Sequence, residues 1–155
     1  MIVLRDVSDV EAAVGRDIGP TDWITLSQHR IDSFARASSH APGTDSPRRE
    51  IVPGSVGTTG AQEFLTLALI PYFLGRLRRL EGVSMGVNCG LDRVRFVAPA
   101  PVNSRLRGRM TIRSVARLPG AVQLVTRVTV EREYARKVCC TADLISRIYL
   151  RENHR

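Results

Sequence analysis

One stretch constrains this chain more than any other. From Thr59 to Leu80 the spacing predicts a helix, and Phe64, Leu65, Leu67, Ala68, Leu69, Ile70, Phe73 and Leu74 fall on nearly every face of it. A helix that is apolar all round has no face to give to water, so other structure must wrap it. Pro71 interrupts the run and predicts a kink, because proline removes one backbone donor and its ring meets the preceding turn. Arg76, Arg78 and Arg79 follow, where cations suit the negative end of the helix dipole.

Everything downstream reads as strand. Residues 86–97 form the first candidate. Residues 104–117 then alternate, with Leu106, Met110 and Ile112 inward and Arg105, Arg107, Arg109 and Arg113 on the solvated face. Pro119-Gly120 turns the chain, and Val122, Leu124, Val128 and Val130 continue with period two. Residues 137–149 give a last strand carrying Val138, Cys140, Ala142 and Leu144. The pattern predicts an α+β fold, with one long helix swaddled by a curved antiparallel sheet. All 155 residues fit one domain.

The upstream third is shorter-stepped. Ser8 and Glu11 read as a capping box opening a short helix that Gly15 closes. Gly19-Pro20 marks a turn, and Trp23 to Leu26 reads as a short strand. Ser27 caps a second helix with Ile31, Phe34, Ala35 and Ser38 on one face. From Ser39 to Ser55 periodicity stops, and Pro42, Gly43, Pro47, Pro53 and Gly54 gather. A loop of about 17 residues is long enough to suspect of function.

The formal net charge of +8 raises the question of a nucleic-acid partner. Lys137 is the only lysine, and the arginines are spread along the chain rather than gathered. An anionic small partner (a phosphopantetheine or nucleotide tail) or an acidic carrier protein therefore fits better, and no nucleic acid is expected. Cys89, Cys139 and Cys140 are odd in number, and the adjacent pair points to opposite strand faces. With no CxxC spacing and no histidine cluster, reduced structural thiols are expected and a metal is not. The most apolar run, Phe64 to Leu74, is too short to span a bilayer, and no signal segment opens the chain. A cytoplasmic protein without membrane association follows.

Three stretches carry a resemblance. "SVGTTGAQEFLTLALIP" (Ser55 to Pro71) resembles the helix-opening segment of MaoC-like (R)-specific enoyl-thioester hydratases, in the branch that includes the NodN proteins. "VNCGLDRVRFVAPAPVNSRLR" (Val87 to Arg107) resembles that branch's strand pair, and "DWITLSQHRIDSFARASS" (Asp22 to Ser39) resembles the strand and helix before its active loop. The resemblance implies a single hotdog fold, a homodimer joined sheet edge to edge, an acyl-thioester substrate and no cofactor.

The family's active loop carries Asp-x4-His, a pair that adds or removes water across the Cα–Cβ bond of an acyl thioester. Laid on this chain without gaps, the Asp position is His40 and the His position is Asp45, so the two types are exchanged. One reading keeps them as an acid/base pair, His40 exchanging the proton and Asp45 orienting it. The other takes the pair as decayed. Where the family has Ala-His-Gly at the helix start, this chain has Ala61-Gln62-Glu63. The family's glycine N–H polarises the thioester carbonyl. Glu63 keeps an N–H but adds a carboxylate, which makes it either a further acid/base group or a surface residue favoured by the helix dipole. Ala68 replaces a pocket serine, and Asn88 and Arg95 occupy matched positions. Gln62, Trp23, Ala68 and Asn88 are the candidate substrate contacts.

Three functions compete on this reading. The first is altered proton-transfer chemistry (dehydration, isomerisation or cyclisation) on an acyl-thioester or polyketide-type substrate, as in secondary metabolism. The second is the unaltered hydratase or 3-hydroxyacyl dehydratase reaction. The third is an inactive partner or ligand-binding subunit.

Overall fold

The computed structural model describes residues 1–38 and 60–151. Its centre is an antiparallel sheet of four long strands: β5 (Val83–Phe96), β6 (Arg105–Leu118), β7 (Ala121–Arg132) and β8 (Cys140–Leu150). They lie in the order β6-β7-β8-β5, and short β2 (Asp17–Ile18) and β3 (Ile24–Thr25) both pair with β6. Among the described residues, that leaves β5 as a free edge. A separate parallel pair joins β1 (Ile2–Leu4) to β4 (Arg78–Leu80).

The expected alternation sets the inner face. Leu106, Met110 and Ile112 of β6 and Leu124, Val128 and Val130 of β7 are fully or almost fully buried. Cys140, Ala142 and Leu144 of β8 join them, whereas Val138 precedes that strand and is half-buried. On the outer face arginines meet carboxylates across strands, as in Arg107–Glu131, Arg105–Glu133 and Arg127–Asp143.

The helical stretch is two helices rather than one. α3 (Gly60–Ala68) ends before Leu69, and α4 (Ile70–Leu77) starts with Pro71 in its first turn. Proline is tolerated there because its missing donor would be unpaired in any case. α4 buries Ile70, Phe73, Leu74 and Leu77 on the sheet. Only Arg76 lies in its last turn; Arg78 and Arg79 begin β4, because a helix prolonged past Leu77 would break the pairing with β1.

The capping expectation holds for one helix and shifts for the other. α2 (Gln28–Ala37) is capped by Ser27, whose Oγ accepts from Arg30 N at 3.3 Å. α1 (Val7–Ala12) is capped by Asp6 rather than Ser8: its carboxylate accepts from Asp9 N at 2.9 Å. Starting two residues earlier lets Asp9 in turn accept from Arg5 N at 2.9 Å. α1 covers a second apolar cluster around Leu4, Val10, Ile112, Val122, Leu124 and Ile148.

Candidate functional site

The expectation that the helix is covered on all sides needs correction, and the correction locates the cleft. Sheet and α2 cover one side of α3 and α4, while Phe64, Ala68 and Pro71 stay exposed, Phe64 by 58%. With Leu67 they stand at i, i+3, i+4 and i+7, so they form one stripe along the helix pair. The stripe is one wall of a cleft of about 520 Å³.

Each other wall comes from a neighbouring element. Phe34 projects from α2 and Leu144 from β8. The opposite wall is Asn88 to Leu91 of β5, where the register slips between Asn88 and Gly90. A bulge of this kind re-aims side chains at a strand edge. Here it lets Asn88, Cys89 and Leu91 all contribute to the lining. At one end the rings of Phe64 and Phe96 meet edge to face, 5.5 Å apart. Asn88 and Cys89 are the only polar side chains in the lining among the described residues. The cleft is therefore walled almost wholly by apolar side chains, with one amide, that of Asn88, among them.

Of the candidate residues, Ala68 and Asn88 line this cleft. Gln62 and Glu63 stand in the first turn of α3. Glu63 is half-buried beside the lining residue Phe64, and its backbone carbonyl accepts from Thr66 Oγ1 at 2.6 Å. Trp23 is elsewhere: it borders a second hollow, with the Arg107 guanidinium 4.4 Å from its ring centroid. It therefore is not a wall of the apolar cleft. Arg95 is exposed and turns its Nη1 to the carbonyl of Val94 at 2.9 Å. His40 and Asp45 lie outside the described residues.

Sequence reasoning missed most of the cleft's walls. The sequence pattern reads Phe34, Phe64 and Leu67 as covered helix faces and Pro71 as a kink, yet the 64/67/68/71 spacing also marks an apolar stripe left over once the sheet takes the other face. Nothing in the sequence signalled Cys89 as a lining residue. Its thiol is exposed, unlike those of Cys139 and Cys140. Burial pushes the Cys140 thiol up to about 11, with Cys139 alongside adding to the effect. Among the described residues no cluster of His, Cys, Asp and Glu could hold a metal, and no helix is long and apolar enough to cross a membrane.

The chain is 36% identical over 148 residues to 3-hydroxyacyl-thioester dehydratase Z of Mycobacterium tuberculosis, covering 95% of this chain and 98% of that protein. It is 38% identical over 153 residues to nodulation protein N of Rhizobium leguminosarum bv. viciae, covering 96% and 94%. The fold superposes on a MaoC-like dehydratase from Rhodospirillum rubrum with a TM-score of 0.62 at 13% identity, over 92% of this chain and 96% of that one. No family model matches the chain. Near-complete coverage at this identity, together with a sheet and helix pair that superpose on a MaoC-like structure, places the chain in the MaoC/NodN-like family of hotdog-fold proteins.

Proposed function

We propose that this protein removes water from, or adds it to, an acyl thioester whose acyl chain lies in the cleft between α3, α4 and β5. The observation that carries the reading is the cleft's lining: a long apolar trough with Asn88 and Cys89 as its polar members, beginning at the first turns of α3. A trough of this kind desolvates an acyl chain and leaves the reacting carbons near the helix start, where backbone N–H groups favour a developing oxyanion. The name of the 36%-identical relative favours dehydration over isomerisation or cyclisation.

In the dehydration direction a base takes the proton from C2, the C2=C3 bond forms, and the C3 hydroxyl leaves as water with a proton from an acid. His40 is assigned as the group that exchanges the proton, Asp45 as its orienting partner, and Glu63 as a further acid/base group. Asn88 is assigned to substrate orientation. The test is turnover of a 3-hydroxyacyl thioester by the purified chain and by His40→Ala, Asp45→Ala and Glu63→Ala. Loss of about a hundredfold or more in kcat for His40→Ala supports the assignment. Unchanged turnover in all three variants refutes it, and an inert wild-type chain that activates a co-purified homologue favours the inactive-partner reading instead.

The assembly proposed for this function is a homodimer joined through β5. Among the described residues that strand has no partner on one edge, and it exposes Met85, Val87 and Leu91. An exposed apolar edge strand is a template for pairing with a second chain.

A further inference from the structure

The apolar inner face of the sheet has one polar interruption. On β7, Thr126 stands between Leu124 and Val128; on β8, Ser146 stands between Leu144 and Ile148. Thr126 is completely buried and Ser146 is 4% exposed. Thr126 lies directly opposite Leu144, and Leu124 opposite Ser146. The two hydroxyl residues are therefore diagonal neighbours on one face, about 7–8 Å apart. They mark the seam between the two apolar clusters, since Val128 and Leu144 belong to one and Leu124 and Ile148 to the other.

A cation reaches into this seam. Arg78, the first residue of β4, donates from Nη1 to Thr126 Oγ1 at 3.2 Å. Among the described residues it forms no ion pair. Arg76, Arg95, Arg113 and Arg147 also lack a carboxylate there, but they are exposed and water solvates their charge. Arg78 is placed differently: burial pushes its guanidinium pKa down, as it does for a charge the surrounding protein has stripped of water.

The seam is rich in donors and short of acceptors. Thr126 uses a lone pair on Arg78 and keeps its own proton to give, and the buried Ser146 Oγ has no partner among the described residues. Water would accept these bonds and still leave a desolvated cation uncompensated. A carboxylate does both, because it accepts at two oxygens, matches the guanidinium fork and brings one negative charge to one positive.

The seam adjoins the cleft. Leu144, which lines the cleft, is Thr126's partner across the strands, and Asn88, the cleft's amide, lies directly opposite Ser146. Neighbouring strands are about 4.8 Å apart, so the donors begin one strand spacing beyond the cleft wall. The helix pair runs from the start of α3 to Arg78 just past α4, which puts the seam away from the end assigned to the reacting carbons. We propose that Arg78, Thr126 and Ser146 bind a carboxylate at the far end of the acyl chain, so that the preferred substrates are ω-carboxyacyl thioesters. The substrate assignment rests on the thioester reading; the carboxylate site itself does not.

The probes are octanoate and octanamide, equal in length and different in charge. Calorimetry should show octanoate binding the wild-type chain about tenfold or more tighter than octanamide. Arg78→Met should abolish that preference, and Ser146→Ala, which keeps the cation and removes one hydroxyl, should reduce it. Equal binding of the two probes, or a preference that both variants retain in full, overturns the proposal. Acetate that binds as tightly as octanoate overturns it too, because the seam would then hold a free anion rather than a chain end. In turnover, an ω-carboxy trans-2-enoyl thioester should exceed the plain-chain thioester of the same length in kcat/KM by about tenfold or more. Equal turnover of the two overturns the substrate assignment and leaves the thioester reading standing. Arg78-dependent preference for octanoate with no turnover of either thioester keeps the carboxylate site and removes the thioester reading.

Discussion

Gly108 of β6 lies directly under Phe73 of α4: a Cβ at position 108 would stand 2.5 Å from Phe73 Cβ and 2.6 Å from its Cγ. The absence of a side chain at one strand position is what lets the helix pair sit close enough to the sheet to bury Phe73 completely. The contact fixes the depth of the helix and therefore the width of the cleft beside it. Gly108→Ala should destabilise the fold by about 1–3 kcal/mol through overpacking, read from denaturant midpoints. In a Phe73→Gly background, which removes both crowding atoms, the same Gly108→Ala change should cost less, so the two effects should not add. Additive effects would show that the two positions do not share one gap.

The Arg127–Asp143 pair makes an acid-side prediction. Arg127 donates from Nε and Nη2 to the two carboxylate oxygens at 2.6 and 2.8 Å, and the Asp143 side chain is only 5% exposed. The Arg127 hydrogen bonds hold the Asp143 carboxyl below the usual carboxylate range, outweighing the opposing effect of burial; the charges of Arg127, Arg93 and Arg113 assist. A depressed folded-state value stabilises the fold above the ordinary carboxylate pKa, about 3.9, and that contribution is lost as pH falls through the lower folded value. Asp143→Asn should therefore flatten the decline in stability below about pH 4. Asp143→Ala should cost about 3 kcal/mol at neutral pH, the low end for a broken buried pair because Arg127 stays a third exposed.

How far the sequence could be read follows from which forces are local. Period-two alternation fixed the inward faces of residues 104–117 and 121–130, because a strand shifted by one residue would turn its whole apolar set outward. The pairing order and the free edge at β5 are long-range, and no local pattern encodes them. The break between α3 and α4 was legible as Pro71, yet its consequence was not: an all-round apolar helix looks the same whether neighbouring structure or a ligand covers its last face. That Trp23 lies away from the apolar cleft was not legible for a similar reason. A lone tryptophan fits either side of a sheet, and the side is decided by the register of β3 on β6, Ile24 opposite Leu106.

The three cysteines should separate by reactivity. Cys89 is exposed at the cleft wall, whereas Cys139 and Cys140 are buried and burial raises both thiols. A maleimide added to the native protein at neutral pH should modify Cys89 alone, and unfolding should release the other two. An acyl thioester with a long chain should slow labelling of Cys89 in proportion to its occupancy. Labelling that is indifferent to the ligand would place the acyl chain outside the cleft.

The free edge of β5 predicts an assembly phenotype. Val87→Lys with Leu91→Lys puts two charges on the exposed edge. Sedimentation should then shift from dimer to monomer, while a surface change on the far side of the sheet, such as Arg113→Lys on β6, leaves the dimer intact. A wild-type chain that sediments as a monomer, or a double variant that remains dimeric, would remove the edge-to-edge arrangement.

Under the proposed function, the trough along Phe64, Leu67, Ala68 and Pro71 holds the acyl chain of a thioester during addition or loss of water. The most direct test is the hydration of trans-2-enoyl thioesters of increasing chain length, followed by loss of the conjugated-enoyl absorbance, in the wild type and in Ala68→Phe. The wild type should turn these substrates over, and the variant should lose kcat/KM selectively for the longer chains, by about tenfold or more. No turnover by the wild type in either direction, or an Ala68→Phe variant that handles every chain length as the wild type does, would contradict it.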